Sequence, residues 1–145
     1  MKQQIYLAGQ MTGLSKAEYS TWRRNFKQQI ESCSDHFTCF DPGEEYDLIP
    51  DDSNLPIHLK DQYNKAAMLL DLDKLRNSRI VVCNMNHQNS MGTSAELALA
   101  WEWHIPIIGF CLQENSATVH PWWKQFATVM FKTPDDVIDY ILKNY

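Results

Sequence analysis

Apolar and polar positions fall into blocks along the chain, and each block has the length of a strand or a helix. Short apolar runs bounded by Gly, Asn, Asp or Pro are typical of buried strands. Longer stretches between them repeat an apolar residue every three or four positions, which is typical of helices packed on one face. The predicted strands cover residues 5–8, 37–40, 79–84, 105–111 and 128–131.

The helices are predicted from this spacing and from signals at their ends. Ser15 is a suitable N-cap for a helix over residues 16–32, and a second helix is predicted over residues 56–77. A third helix follows the strand at 79–84, and residues 119–124 predict a short helical turn. A final helix begins at Pro134, because proline is favoured at the first helical position. The predicted inward positions are Tyr19, Trp22, Phe26 and Ile30 in the first helix and Met68, Leu69, Leu72 and Leu75 in the second.

This alternation of strands and helices predicts the fold class. Strands that are apolar throughout indicate a parallel sheet covered on both faces. We therefore expect one α/β domain over residues 1–145, three-layered and Rossmann- or flavodoxin-like, with about five mostly parallel strands. Ligands bind such sheets at the carboxyl ends of the strands. The loops at residues 9–14, 41–54 and 85–92 belong to that edge, and the second is long enough to be a binding loop.

Composition and charge remove several classes of function. The net charge of −5 argues against a nucleic-acid polymer held through its phosphates. No apolar run has transmembrane length, so we expect a cytoplasmic protein without a membrane partner. The four cysteines lack metal-binding spacing and the histidines show none either, so we expect no metal and no disulfide framework. The loop at 9–14 lacks the GxGxxG pattern of dinucleotide sites, and we expect no cofactor.

Glu96 is the carboxylate that most needs explaining. It follows the apolar strand and its loop and stands near the start of an apolar helix. In a first helical turn it would lie beside unpaired N–H groups and the positive end of the dipole, which keep a carboxylate ionised. The residue is then either a working nucleophile or base, or a capping-box partner of Thr93 or Gly92. The local sequence leaves both interpretations open.

Asp71 supplies a second carboxylate at a position that can converge with the first. It lies on or near the apolar stripe of the helix at 56–77, about two turns before the end of that helix. Two carboxylates in one pocket suit glycosidic cleavage, where one attacks the anomeric carbon and the other manages the proton of the leaving group. The alternative is a solvent-facing ion pair with Lys74 or Arg76.

Three motifs together resemble one family. They are Tyr6-Leu7-Ala8-Gly9, Asp71-Leu72-Asp73-Lys74-Leu75 and Ser90-Met91-Gly92-Thr93-Ser94-Ala95-Glu96-Leu97. Their order and spacing resemble the nucleoside 2-deoxyribosyltransferase family, which includes nucleoside 5′-monophosphate N-glycosidases. The resemblance implies that Glu96 forms a covalent glycosyl-enzyme through C1′ and that Asp71 orients Glu96 and shuttles the proton of the departing base. A second nucleobase or water then resolves the intermediate.

Ser90 occupies the position that separates the two branches of this family. The resemblance implies Asp there in transferases, where it binds the sugar 5′-hydroxyl, and Ser in the monophosphate glycosidases. A hydroxyl, together with the N–H of Gly92 at a helix start, can donate to a phosphate. The alternative is that Ser90 is a plain cap or loop residue. The lack of an Arg beside this loop points away from a phosphate, unless Lys16 or a partner subunit compensates.

The remaining predicted substrate-binding residues follow the first two strands. Gly9 lets the backbone approach a sugar or base, although an ordinary turn explains it equally well. Gln10 and Asp41 are candidates to bind a base edge, and Tyr6 and Met11 complete the predicted set.

The sequence thus predicts cleavage of the N-glycosidic bond of a 2′-deoxyribonucleoside or its 5′-monophosphate, with transfer to another nucleobase or to water. The rival hypotheses are a non-catalytic nucleotide-binding or signalling domain of the same fold, and cleavage of another glycosidic substrate such as NAD. The family resemblance also implies a role in nucleotide salvage and a homodimer or larger homo-oligomer. In such an assembly Tyr145 of one copy is a candidate to complete a neighbour's site.

Overall fold

A computed structural model describes residues 1–46, 54–112 and 116–145 of the chain. Half of the predicted binding loop at 41–54, residues 47–53, therefore lies outside the described residues. No helix in the described ranges is both long and apolar enough to cross a bilayer. The elements are β1 (Gln3–Gly9), α1 (Lys16–Cys33), β2 (Phe37–Phe40), α2 (Pro42–Tyr46), α3 (Ile57–Arg76), β3 (Ile80–Asn84), α4 (Met91–Glu102), β4 (Ile107–Phe110), α5 (Pro121–Phe126), β5 (Val129–Phe131) and α6 (Pro134–Asn144).

The five strands form one sheet in the order β2-β1-β3-β4-β5, and every neighbouring pair is parallel. The predicted α/β architecture with a parallel sheet is confirmed. From β1 the chain moves outward to β2, and it then crosses back to β3 on the other side of β1. The carboxyl ends of β1 and β3 lie side by side, because Gly9 is in register with Asn84. A crevice forms at such a reversal of strand order, and the candidate site lies there.

Helices cover both faces of the sheet. Side chains alternate along β1, so Ile5 and Leu7 point to one face while Tyr6 and Ala8 point to the other. The first face packs against α1 and α6, and the second packs against α3, α4 and α5. The helix residues in the first core are Phe26, Ile30, Val137, Ile138 and Ile141, and those in the second are Leu75, Leu97, Ala100 and Trp123.

The inward face of α3 differs from the prediction. Met68 and Leu69 are 51% and 54% exposed, so their predicted inward orientation is wrong. The buried positions of the helix are Asp71 and Leu75, which are one turn apart and therefore share a face. The helix thus packs on the sheet through its C-terminal part, and the position that approaches the core one turn earlier carries a carboxylate. This placement brings Asp71 toward the carboxyl edge of β1 and β3.

Candidate functional site

A cleft of about 450 Å³ opens where β1 and β3 end. The loop after β1 forms one wall, and the start of α4 with the residues before it forms another. The last residue of α2 and Asp71 in the C-terminal part of α3 complete it. We call this space the carboxyl-edge cleft, and its lining residues are Gly9, Met11, Thr12, Gly13, Tyr46, Asp71, Asn89, Ser90, Met91, Gly92, Thr93 and Glu96.

Helix α4 begins earlier than the sequence suggested, and this changes the setting of Glu96. Ser90 is the N-cap: its Oγ accepts from the Thr93 N–H at 3.1 Å and donates to Thr93 Oγ1 at 2.9 Å. Glu96 is consequently the sixth helical residue rather than a first-turn residue, and that prediction is wrong. The capping-box interpretation of Glu96 is wrong as well, because Thr93 occupies the N3 position.

The Glu96 carboxylate is held by a buried tyrosine. Tyr6 is fully buried in β1, and its hydroxyl donates a 2.9 Å hydrogen bond to Glu96 Oε1. Burial raises the pKa of Glu96 to about 7, although the Tyr6 hydrogen bond lowers it. The charge of Asp71 raises this pKa further, and the charge of Arg23 lowers it. The expectation that the helix start keeps Glu96 ionised is therefore wrong, since loss of solvation dominates.

Asp71 faces the same cleft and not the solvent. Asp71 is only 8% exposed. Its Oδ1 atom is buried and has no hydrogen-bond partner among the described residues. The interpretation of Asp71 as a solvent-facing partner of Lys74 or Arg76 is therefore wrong. Burial, followed by the charge of Glu45, raises the pKa of Asp71 to about 6. A buried carboxylate oxygen without a partner is costly unless a ligand supplies a donor.

The charge of Asp71 affects the protonation of Glu96. The Asp71 charge is a cause of the raised pKa of Glu96, whereas the pKa of Asp71 is raised by burial and by Glu45. Asp71 consequently loses its proton first on a rise in pH, and its new charge then holds the remaining proton on Glu96. Near neutrality Asp71 is therefore mostly ionised and Glu96 is partly protonated. Such a pair suits proton transfer at that pH.

Replacing Asp71 with Asn is expected to raise the free energy of unfolding, and by more at pH 8 than at pH 4. The folded state raises the Asp71 pKa from 3.8 to about 6, so the protonated form is the stabilised one. This contribution is complete below about pH 4 and is lost as the pH rises to about 6. The stability gain of the variant should therefore be larger at pH 8 than at pH 4, by up to about 3 kcal/mol. Urea unfolding at both pH values measures it.

The matched control for this comparison is Asp61→Asn, on the exposed part of the same helix. It should change the free energy of unfolding by less than about 0.5 kcal/mol at either pH. An equal effect of Asp71→Asn at pH 4 and pH 8 would contradict the burial of an ionised carboxylate at this position.

Arg23, which the sequence did not single out, donates to the backbone at the end of β1 beside the cleft. This α1 side chain is fully buried, and it donates to the carbonyl oxygens of Gly9 at 2.8 Å, of Leu7 at 3.3 Å and of Tyr19. Its Nε also lies 3.6 Å from Asp41 Oδ1. The residue thus fixes the end of β1 and joins it to the end of β2.

Two residues predicted to contact substrate are engaged elsewhere. Asp41 Oδ1 accepts from the Gly43 N–H at 2.8 Å and pairs with Arg23. Gln10 donates from Nε2 to the Thr12 carbonyl at 3.0 Å and accepts from the Asn89 N–H at 2.8 Å through Oε1. Neither residue lines the cleft. Gln10 instead joins the loop after β1 to the loop after β3 through its bond to Asn89.

The other predicted site residues come together. Glu96, Asp71, Ser90 and the backbone at Gly9 and Gly92 line the cleft, as does Met11, while Tyr6 lies directly beneath Glu96. Tyr46 also lines the cleft but was not predicted, because helix α2 was not predicted. Burial and the charges of Asp71 and Glu96 raise the pKa of Tyr46. Thr12, Gly13, Met91 and Thr93 also line the cleft but were not predicted, because nothing in the sequence distinguishes them from their neighbours in the same loops. Asn89 was named only as a further candidate for a sugar contact.

Within the described ranges, no three His, Cys, Asp or Glu side chains are grouped as metal ligands would be. The four cysteines are free thiols, and three of them are buried. The polar side chains that line the cleft are carboxyl, hydroxyl and amide groups, from Asp71, Glu96, Thr12, Tyr46, Ser90, Thr93 and Asn89.

No protein-family model and no curated protein sequence matches this chain. Solved structures do match it in fold. A conserved protein from Enterococcus faecalis V583 superposes with a TM-score of 0.76 at 15% identity over all of both chains. The 2-deoxyribosyltransferase from Bacillus psychrosaccharolyticus gives 0.72 at 16% identity, covering 94% of this chain and 91% of its own.

Two more distant structures share the fold at a TM-score of 0.56. The Clostridium botulinum CMP N-glycosidase BcmB is 14% identical and covers 99% of this chain and all of its own. DNA processing protein A from Helicobacter pylori, which binds single-stranded DNA, is 13% identical and covers 99% of this chain and 81% of its own. At these identities the likeness establishes the architecture, and function must be argued from the cleft.

Proposed function

We propose that this protein cleaves the N-glycosidic bond of a 2′-deoxyribonucleoside or its 5′-monophosphate and passes the sugar to a second nucleobase or to water. The observation that carries the proposal is the convergence of Glu96 and Asp71 on one cleft, with Tyr6 bonded to Glu96. Residues from β1, α3 and α4 meet there although they are distant in the chain. Two buried carboxyl groups with raised pKa values beside a ligand-sized space are typical of a functional site.

The chemistry follows from these positions. The Glu96 carboxylate attacks C1′ of the sugar, so that a C1′–O bond forms while the C1′–N bond breaks and its electron pair leaves with the base. Asp71 in its protonated form supplies the proton that the departing base nitrogen needs. A second base nitrogen or a water oxygen then attacks C1′ and gives its proton to the Asp71 carboxylate, while the C1′–O bond to Glu96 breaks and Glu96 leaves as a carboxylate. Two displacements at one carbon retain its configuration.

The protonation state of Glu96 and Asp71 in the free protein is close to the state that the first displacement requires. Attack requires the Glu96 anion, and departure of the base requires a proton on Asp71. Their pKa values of about 7 and about 6 place the resting proton on Glu96. Because both pKa values are raised toward neutrality, moving the proton from Glu96 to Asp71 costs little. A base bound beside Asp71 removes water from that carboxyl group and lowers this cost further.

The role of Tyr6 is to hold the nucleophile. Because its hydroxyl donates to Oε1, one carboxylate oxygen is fixed and Oε2 is the candidate attacking atom. The pKa of Tyr6 is raised strongly by burial and by the charges of Glu96 and Asp71, so the hydroxyl stays protonated and remains a donor. The fold likeness to a 2-deoxyribosyltransferase and to a CMP N-glycosidase supports the same reaction class. The three motifs described above support it as well.

A substrate panel tests the proposal. The protein is incubated with deoxynucleosides, ribonucleosides and their 5′-monophosphates, each with and without a second free base, and the products are separated by liquid chromatography. We expect release of free base or exchange of bases. Release without an acceptor indicates hydrolysis, and a new nucleoside formed only with an acceptor indicates transfer. Binding without any turnover would overturn the proposal in favour of a non-catalytic nucleotide-binding domain.

A further inference from the structure

We propose that the protein binds a free nucleobase at a second site, between α4 and α5. This site goes beyond the proposed function and does not depend on it. It is a cavity of about 330 Å³, which we call the aromatic slot. Its lining residues are Gln88, Ser94, Ala95, Ala98, His120, Trp122, Trp123 and Phe126.

Helix α4 separates the aromatic slot from the carboxyl-edge cleft. Thr93 and Glu96 face the cleft, whereas Ser94 and Ala95 of the same helix face the aromatic slot. The two cavities share none of their described lining residues. Binding in one can therefore be followed separately from binding in the other.

The walls of the aromatic slot suit a flat ring. On the α4 wall, Ala95 and Ala98 carry only methyl groups and leave the surface with little relief. On the α5 wall, the rings of Trp122 and Phe126 have centroids 6.2 Å apart and planes at 89°. A flat ligand stacked on one ring presents its edge to the other, and aromatic pairs favour both arrangements. Cavities of this size with aromatic walls and few polar groups are typical of small-molecule sites.

Trp122 is the side chain that a ligand would cover. It is 69% exposed, whereas the adjacent Trp123 is 3% exposed and packs in the core. Trp123 is fixed in place, because its Nε1 donates to Ser94 Oγ at 3.0 Å. The aromatic slot thus combines a rigid inner wall with an open indole, on which a base can stack.

The hydrogen bonds around the aromatic slot leave donors available to a ligand. His120 Nδ1 accepts from the Trp122 N–H at 3.2 Å, so the neutral imidazole carries its proton on Nε2. Gln88 Oε1 accepts from the His120 N–H at 2.6 Å. Gln88 Nε2 donates one of its two N–H groups to the Met85 carbonyl at 3.3 Å, and the other remains. A ligand therefore meets two N–H donors beside the aromatic walls.

A nucleobase matches these donors. Its ring nitrogens and carbonyl oxygens are acceptors at the edge of a flat ring. Among the described residues that line the aromatic slot there is no Asp, Glu, Lys or Arg, which favours an uncharged ligand. Sugar hydroxyl groups would need acceptors, and the side-chain oxygens of Gln88 and Ser94 already accept hydrogen bonds. The free base is therefore a better match than a nucleoside.

The indole N–H resonances of the protein test this site directly. The chain has five Trp, and each gives one side-chain signal, assigned by replacing each Trp with Phe in turn. Adding adenine is expected to shift the Trp122 signal in a saturable way and to leave that of Trp101 unchanged, although Trp101 is 55% exposed. Equal shifts of the two signals would show non-specific stacking and overturn the site. No shift of the Trp122 signal near the solubility limit of adenine would overturn it as well.

A matched pair of variants tests the stacking contact, with the Trp123 signal as the readout. Trp122→Ala should weaken adenine binding at least about fivefold, because base stacking on an aromatic ring contributes strongly to affinity. Trp101→Ala removes the same side chain from another neighbour of Phe126, with ring centroids 6.1 Å apart, and should leave the dissociation constant unchanged. Equal effects of the two substitutions would overturn the assignment of Trp122.

His120→Asn tests the hydrogen bond to the base. Asn keeps an oxygen that can cap α5 at the Trp122 N–H, and it removes the Nε2 donor. Adenine should bind about threefold more weakly or less tightly still, as expected for one lost hydrogen bond. Indole is planar but has no ring acceptor, so it should bind the variant and the unmodified protein equally. An equal loss for adenine and indole would overturn the role of His120 as donor.

The rival occupant of the aromatic slot is a second copy of this chain. A Trp122 signal that shifts with protein concentration alone, and does not respond to adenine, would overturn the nucleobase site in favour of that contact. Tighter binding of 2′-deoxyadenosine than of adenine, measured in Glu96→Gln protein, would overturn the choice of the free base. Absence of turnover in the substrate panel overturns the proposed function alone, because none of these binding measurements requires cleavage.

Discussion

Glu96→Gln is expected to lower turnover of the nucleoside substrate by at least about 10³-fold, because an amide oxygen cannot act as the nucleophile that forms the glycosyl-enzyme. The substitution changes little else. Gln has the shape of Glu, and its amide oxygen can still accept from the Tyr6 hydroxyl that now bonds Glu96 Oε1 at 2.9 Å. We expect the loss in kcat, with KM changed little. Single-turnover assays with chromatographic detection of free base measure it.

The control for this variant is Glu102→Gln, which makes the same chemical change at the exposed end of α4. Its rate should stay within twofold or so of the unmodified protein, since exposed substitutions away from a site act weakly. The thermal midpoint of Glu96→Gln at pH 8 should be no lower than that of the unmodified protein, because the variant removes a buried charge. Glu96→Gln activity within tenfold of the starting protein would refute the assigned nucleophile.

The fold was largely predictable because its signals are local and mutually consistent. Ser15 caps α1 with a full capping box through Glu18, and Thr133 with Pro134 begins α6, as the terminal residues indicated. The strand β2 matches its prediction, Phe37–Phe40, and the other strands differ by one or two residues at their ends. Apolar runs of strand length leave few alternatives once helices alternate with them.

The candidate site was predictable only in its location. Loops at the carboxyl ends of parallel strands meet at one edge, so the segments after β1 and β3 were found from topology alone. The register of Glu96 was not, because Ser90, Thr93 and Ser94 are all suitable N-caps and the sequence does not choose between them. The observed position of Glu96 lies about one turn further into α4 than the predicted one. The carboxylate was expected to be ionised by the helix start, but burial raises its pKa instead.

The sequence could not predict which polar side chains form hydrogen bonds or ion pairs with other elements of the fold. Nothing in the sequence around Gln10 indicates that its amide oxygen accepts a hydrogen bond from Asn89 in another loop. Nothing around Asp41 indicates that it pairs with Arg23. Arg23 lies next to Arg24, and only their positions on the helical stripe separate the buried one from the exposed one. Such pairings depend on contacts between distant segments, which a single sequence reports only through charge and spacing.

Arg23 also explains how the sheet tolerates a cleft rich in carboxylates. Burial raises the pKa values of Asp71 and Glu96, so both are costly to ionise in the folded state. The guanidinium of Arg23 lowers the pKa of Glu96 and of Asp41 from inside the fold. This residue therefore holds the backbone at the end of β1 and supplies a buried countercharge.

Arg23→Met is accordingly expected to destabilise the fold by about 3–5 kcal/mol, since it leaves the buried Asp41 carboxylate without its partner. The carbonyl oxygens of Leu7 and Gly9 lose their donor as well. Urea unfolding at pH 7 measures the loss, and Arg24→Met, at an exposed position one residue along, should cost less than about 0.5 kcal/mol.

A double-mutant cycle separates the ion pair from the packing. Asp41→Asn keeps an oxygen for the Gly43 N–H but removes the charge, so adding it to Arg23→Met should recover at least about 1 kcal/mol of the expected loss. Strictly additive effects of the two substitutions would show that the charge of Asp41 is not what Arg23 stabilises. The hydrogen bonds from Arg23 to the end of β1 would then carry the whole effect, and Asp41 would be free to act toward the ligand.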